Sequence, residues 1–331
     1  MLRRVAHELF WMGRYLERAD CIARFLFAQR RLALEVGYLA HSPRAWTDLV
    51  LTYLGDGTEL EVPDDPDEVV AIAVLSKDAP SSLLRCVERA HENARSARAS
   101  ISRETYESVH RLFLLLRQMS GAVGATPAGA MPPVEWSFAL QRIGEACRVV
   151  SGYLADTVVR DDIWQVLHAG RHLERALQTL RTVRCCAVNG EGRPWRPGEP
   201  IDPVAWGGLL RSCSAYEAYR KVYRGPVEPQ AVLELLLFYP AFPRSLRGAV
   251  GLLRENLVAL RLLEAGWRPS PVDLRFGRLQ LKVAGSGLDG VLRDGLFGFL
   301  DEALVDLAAL GSALDEVFLT DELHPPDTGD Q

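Results

Sequence analysis

Lysine is nearly missing from this chain. Lys77, Lys221 and Lys282 are the only three, in 331 residues whose lysine and arginine total is 38. The cationic charge is therefore almost all guanidinium, which grips carboxylates or phosphates in a fixed fork where an ammonium acts as a point charge. Other absences exclude more. The six cysteines form no CxxC pair, and Cys185-Cys186 are adjacent, which suits neither a disulfide framework nor a zinc site. No apolar run approaches a membrane span; the best, from Ala231 to Tyr239, is short and broken by Glu234. Arg3, Arg4, His7 and Glu8 interrupt the opening residues, so no signal peptide is read and a reduced, cytoplasmic protein is expected. A formal net charge of -5 argues against a general nucleic-acid binder. There is no P-loop, no GxSxG and no convincing Cys/His dyad, hence no complete catalytic set and no expected cofactor or metal.

What is there is a chain written twice. Gly13-Arg14-Tyr15-Leu16-Glu17-Arg18-Ala19 returns 157 positions later as Gly170-Arg171-His172-Leu173-Glu174-Arg175-Ala176. Pro43-Arg44-Ala45-Trp46 returns as Pro203-Val204-Ala205-Trp206, and Pro80, Ser82, Leu83, Val87, Glu92, Asn93 and Arg98 return 163 positions later from Pro243 to Arg261. Three anchors in one order imply a duplicated helical unit. Residues kept in both copies should meet near a pseudo-twofold axis.

Helical periodicity dominates, with prolines and acidic caps at the helix starts. The pattern predicts helices over Val5–Leu39, Ser82–Ala99, Arg103–Met119, Val134–Tyr153, Asp161–Cys186, Val204–Tyr223, Ser245–Glu264 and Gly290–Phe318. Ser42-Pro43 and Asp202-Pro203 read as paired caps with proline at the first helical position. Asp65-Pro66 with Glu68 reads as a capping box, and Glu228-Pro229 stands at the equivalent place. The expected fold is all-α: a single multi-helix domain of two pseudo-symmetric repeats, about 1–125 and 158–290, with additional helices at 134–155 and 290–318. Gly285-Ser286-Gly287-Leu288-Asp289-Gly290 matches GxGxxG, but no βαβ unit surrounds it, and a helix–helix turn is the better reading.

On a helical wheel Gly13, Glu17 and Arg24 form one stripe, as do Gly170, Glu174 and Arg181, with Asp20 near the centre of the apolar face and Leu177 in its place in the second copy. Arg14 and Arg18, like Arg171 and Arg175, project toward the other flank. Packed about a pseudo-twofold, Glu17 would reach Arg181 and Glu174 would reach Arg24. Two readings stay open: reciprocal buried salt bridges that fix helix register, or a cleft for a charged ligand. Glu92-Asn93 and Glu255-Asn256 form a second repeated constellation. Glu88-x-x-His91 has the spacing of a diiron bundle, yet Gly251 and Arg254 stand at the matching positions of the second copy. His168 and His172 have metal-ligand spacing but correspond to Trp11 and Tyr15, so packed or solvated histidines are the simpler account.

Several words in one order resemble the bacterial alpha-E domain family. They are Arg4-Val5-Ala6, Trp11 to Ala19, Glu92-Asn93-Ala94-Arg95 with Ile101-Ser102 and Glu104, Arg160-Asp161 with Trp164, Gly170 to Ala176, Leu210-Arg211-Ser212 with Ala215 to Arg220, and Phe242-Pro243-Arg244-Ser245. Asp162-Ile163 and Gln165-Val166-Leu167-His168 depart from the family pattern. The resemblance implies a mainly helical protein that serves an ATP-dependent peptide- or amide-forming system. Its implied partner is a circularly permuted ATP-grasp protein, with a transglutaminase-like peptidase as a second candidate. Binding of nucleic acid or membrane is not expected. Adding Arg160, Tyr216, Glu217 and Arg244, which have no duplicate, to the repeated residues completes the candidate ligand-binding set. The expectation is an accessory or substrate-binding component; the alternatives are an enzyme with Glu17 or Glu174 as general base, and a purely structural scaffold.

Overall fold

The structure is a computed structural model. It describes residues 3–35, 49–50, 53–54, 65–124, 133–188, 193–199, 202–263 and 269–320. The described residues are helical and contain no strand; Val188 and Pro194 form an isolated bridge. The elements are α1 (Arg3–Glu35), α2 (Pro66–Leu75), α3 (Leu83–Ser96), α4 (Arg103–Gly124), α5 (Pro133–Asp156), α6 (Asp162–Cys186), α7 (Pro203–Ser212), α8 (Tyr216–Tyr223), α9 (Pro229–Leu233), α10 (Leu246–Ala259), α11 (Pro271–Gly285), α12 (Leu288–Asp294) and α13 (Leu296–Thr320). A π-helical turn, Glu234–Phe238, continues α9.

Two of these helices form the axis of the molecule. α1 packs most extensively on α6, while α3 lies on α1 and α10 lies on α6. α5 and α7 also cover α1, and α13 touches both central helices. A helix enclosed in this way loses its polar face: in α6 nearly every side chain from Val166 to Val183 is buried, including His168, Arg171, His172, Glu174 and Gln178. Leu9, Phe10, Met12, Leu16, Phe25 and Leu26 are the matching apolar residues of α1. Each such side chain contributes about 2 kcal/mol on leaving water.

Local chemistry sets the helix starts. Asp161 caps α6 by accepting from the Ile163 and Trp164 N–H groups, and Asp202 caps α7 by accepting from Val204 and Ala205. Asp65 caps α2 through the Asp67 N–H, without the reciprocal bond from Glu68 that a capping box needs. The capping box is instead at Ser270 and Asp273, opening α11. Glu228 precedes Pro229 but makes no side-chain cap. The Ser42-Pro43 cap and the Pro43 to Trp46 copy lie outside the described residues.

Two expected helices are broken. The Val204–Tyr223 pattern divides at Ser214, whose φ of 51° is left-handed and turns the chain before Tyr216. The Gly290–Phe318 pattern starts earlier, at Leu288, and divides at Gly295, whose φ of 114° suits a residue without Cβ. The GxGxxG word spans the turn between α11 and α12, and the alternating tract Leu279 to Val283 is helical.

At the α1–α6 contact the backbones nearly touch. A Cβ built on Gly13 would overlap the Leu167 carbonyl oxygen, and one on Gly170 would overlap that of Phe10. Leu167 and Phe10 are themselves 157 positions apart, the spacing of the two glycines. Contacts advance together to Gln29, whose Nε2 lies 3.5 Å from Cys186 Sγ, so the two helices run in the same direction. Gly13→Ala and Gly170→Ala should each cost about 3 kcal/mol in urea unfolding, because the clashing atom is backbone and cannot rotate away. Gly152→Ala, with nothing within 4 Å of its Cβ, should instead stabilise α5 by about 0.5–1 kcal/mol.

Candidate functional site

Close backbones bring long side chains across the α1–α6 contact. Glu174, fully buried on α6, accepts from Arg14 Nε at 3.0 Å and from Arg18 Nε and Nη2 at 2.6 and 3.1 Å. Gln178 Nε2 donates to the same carboxylate at 2.8 Å. Glu17, on α1, accepts from Arg175 Nε and Nη2 at 2.7 and 3.0 Å, and from Arg171 Nη2 at 3.3 Å. The Arg171 Nη2 also donates to Ser151 Oγ of α5 at 3.1 Å. Each glutamate thus binds the two arginines that flank its counterpart.

The pairing differs from the expected one. Arg24 meets Asp20, one turn earlier on its own helix, at 2.6 Å. Arg181 is half-buried on α6 and joins none of the cluster's ion pairs. The wheel places residues around one axis, but the glycine contact lowers the distance between axes. Arg14, Arg18, Arg171 and Arg175 then reach round from the flank.

One further arginine completes the cluster. Arg244, just before α10, donates to Asp20 Oδ2 at 3.0 Å and lies 3.4 Å from Glu17 Oε1. Six guanidiniums (Arg14, Arg18, Arg24, Arg171, Arg175, Arg244) therefore surround three carboxylates (Glu17, Asp20, Glu174) among the described residues. Burial opposes ionisation of these acids, yet the guanidiniums prevail. Arg175, Arg244 and Arg171 hold Glu17 well below the usual carboxylate range, and Arg18 and Arg14 do the same for Glu174. Burial and the adjacent Arg175 pull Arg171 below the ordinary guanidinium value, as expected where cations outnumber their partners.

Next to Arg24 and Arg244, the partners of Asp20, a small cavity of about 10 Å³ is bordered by Cys21, Arg24, Gln178, Thr179, Thr182, Ser212, Cys213 and Arg244. The sequence reading puts Asp20 on the apolar face without counting it as a site residue, and leaves Gln178, Thr179 and Thr182 unnamed. An acid near the centre of an apolar helix face was the available signal for Asp20. Glu17, Asp20 and Cys21 could present three ligand atoms within 4.8 Å of one another. They do not fit a metal ion: both carboxylates already accept from guanidiniums, and burial raises the Cys21 thiol away from the thiolate. Burial likewise pushes Cys185 and Cys213 up to about 12, which keeps those thiols protonated and unreactive.

The remaining candidates stand apart from this cluster. Glu92 and Glu255 are exposed, and Asn93 is half-buried on α3. Arg160 is exposed and lies over the Trp164 ring at 5.5 Å. Tyr216 lies under Arg211, and Glu217 is exposed beside Arg220 at 3.8 Å. Glu88 pairs with Arg85 at 3.2 Å, and His91 Nε2 lies 3.0 Å from His110 Nδ1. Asn256 is buried: its Oδ1 accepts from His172 Nδ1 at 2.7 Å, and its Nδ2 donates to Gln165 at 2.7 Å.

His172 is pulled down to about 4, first by burial and then by Arg175. The unfolded chain takes up a proton near pH 6.5 that the folded chain refuses until about pH 4, so this group removes stability as pH falls through that window. Urea midpoints should drop between pH 6.5 and 4 by an amount equivalent to roughly 3 kcal/mol for His172. His172→Gln should reduce that slope, leaving the part contributed by His168, which burial holds down to about 2. An unchanged slope in the variant would contradict the assignment.

Comparison with known proteins places this arrangement in a family. A model described as "a predicted alpha-helical domain with a conserved ER motif" matches residues 1–319. Glu-Arg stands here at 17–18, 88–89 and 174–175, and the first and third supply the ion cluster. The uncharacterized proteins Mb2597 of Mycobacterium bovis and Rv2567 of Mycobacterium tuberculosis are each 26% identical over 354 residues, covering 98% of this chain. The chain spans 37% of the length of these relatives. No solved structure matches. The chain, matched almost throughout its length, belongs to the Alpha-E family of helical domains.

Proposed function

We propose that this protein is the accessory, substrate-binding component of an ATP-grasp-dependent peptide- or amide-forming system. It holds a charged amino-acid or peptide ligand while a circularly permuted ATP-grasp partner carries out activation. The observation that carries the reading is the surplus of guanidinium: six arginines against three carboxylates, with all nine side chains at most 25% exposed. Unmatched buried charge is costly, and an anionic ligand would offset it. In the mycobacterial relatives the matched region is 37% of a longer polypeptide, a setting in which such a domain works beside others.

The general-base alternative fits the geometry less well. A base near neutral pH needs a pKa close to that pH, whereas Glu17 and Glu174 are held far below it and their oxygens are engaged by arginine. A scaffold role accounts for the reciprocal forks but not for the excess of cations.

Co-purification with the ATP-grasp protein is expected to give a complex, and deletion of this chain is expected to reduce ligated product. Absence of both effects would overturn the proposal. Glu174→Gln leaves Arg14 and Arg18 buried without a counter-charge and should cost about 3–5 kcal/mol in urea unfolding. A Glu174→Gln protein as stable as the parent, still bound to its partner and devoid of turnover, would instead support the base.

A further inference from the structure

The ion cluster is uneven, and its uneven end borders the cavity. Around Glu174 the arginine forks and Gln178 close on the carboxylate. On the other side Asp20 stands where the repeat has Leu177, and Arg244 stands where the repeat has Ser81. Arg24 and Arg244 share Asp20, and Arg244 is 25% exposed while Arg24 is 11% exposed. The surplus positive charge thus reaches the surface beside Asp20.

Polar groups at this end separate into satisfied and unsatisfied. Thr179 Oγ1 donates to the Arg244 carbonyl at 3.0 Å, and Ser212 Oγ donates to the Gly208 carbonyl at 3.0 Å. Thr182 Oγ1 donates to the Gln178 carbonyl at 2.7 Å. Gln178 is only 2% exposed, and its Oε1 has no hydrogen-bond partner among the described residues. A buried carbonyl oxygen of this kind asks for a donor. The site therefore offers two guanidiniums for an anion and one acceptor for an N–H or O–H group.

We infer that the cavity between Arg24, Arg244 and Gln178 is a carboxylate subsite for the C-terminal end of a peptide or N-acyl amino acid. This deepens, and rests on, the ligand-binding reading above. A terminal carboxylate can take a guanidinium fork, and the amide N–H two bonds away supplies the donor that Gln178 Oε1 lacks. A phosphodiester brings no such donor; inorganic phosphate near neutral pH keeps an O–H and is therefore the competing ligand to test. The cavity, about 10 Å³, has room for about one water-sized group, so it receives the N–H that meets Gln178 Oε1, while the carboxylate lies against Arg24 and Arg244 at its border and the rest of the ligand stays outside. The glutamates take no part in holding a ligand amine, since their oxygens are already occupied.

Calorimetric titration of the full chain with acetyl-Gly-Gly, its C-terminal amide and inorganic phosphate tests the assignment. The acid should bind saturably and the amide about tenfold more weakly or less, the scale of one charge-assisted hydrogen-bond pair. Arg244→Gln should weaken the acid by about tenfold, Arg244→Lys by less, and Gln178→Met by a few-fold, each checked for folding by circular dichroism. If Arg244→Gln does not fold, the acid–amide contrast on the parent chain and the other two variants decide. The inference is overturned if the acid fails to bind, if acid and amide bind alike, if phosphate binds and the acid does not, or if the folded variants bind as the parent does. Acid binding without any effect on ligation would keep this subsite and remove the ATP-grasp role. An effect on ligation without acid binding would do the reverse.

Discussion

Glu17 and Glu174 lie out of water where two helices meet, and the rest of the core is arranged around that fact. Removing a carboxylate from water costs several kcal/mol unless good partners replace the lost hydration. Here the replacement is bidentate arginine, two residues for each acid, drawn from the opposite helix. Such forks reach only if the helix axes are close. Gly13 and Gly170 make that approach, each lying against a carbonyl of the other helix. Charge and backbone proximity depend on one another, and neither would be tolerated alone.

Much of the helical order was legible in the chain because capping and periodicity are local. Asp161 and Asp202 do what their positions suggest, and proline opens the helix at Pro203 and Pro229, though Glu228 makes no cap. The breaks at Ser214 and Gly295 were not legible, since the apolar rhythm continues through both and only the backbone angle interrupts the helix. The cluster was partly legible: Glu17, Glu174 and their arginines repeat at a fixed spacing. Which arginine meets which acid was not, because a helical wheel carries no interhelical distance. Arg24 shows the difference: a nearby carboxylate one turn away holds it before a distant one can.

The buried polar residues of α6 divide between two tasks. His172 and Asn256 form a neutral network, in which hydrogen bonding replaces hydration without adding charge. Arg171, Glu174 and Arg175, all within three residues of His172, form a charged one with side chains of α1. Proximity links them, since the arginines that stabilise Glu17 also discourage a proton on His172. Positive charge keeps the acids ionised, while burial first and Arg175 second keep a proton off the histidine. Six guanidiniums against three carboxylates leave this cluster with an excess of positive charge.

The close contact between α1 and α6 also bears on how the chain is made. Residues that meet there are separated by about 157 positions, a span that a ribosome translates in roughly 10–30 s. For that interval α1 has left the tunnel with its arginines and Glu17 but without the helix that encloses them. Its charges keep the waiting segment solvated, where an apolar helix of equal length would invite self-association. The same ionic groups that are costly inside the finished molecule thereby serve the first of these two helices to be made.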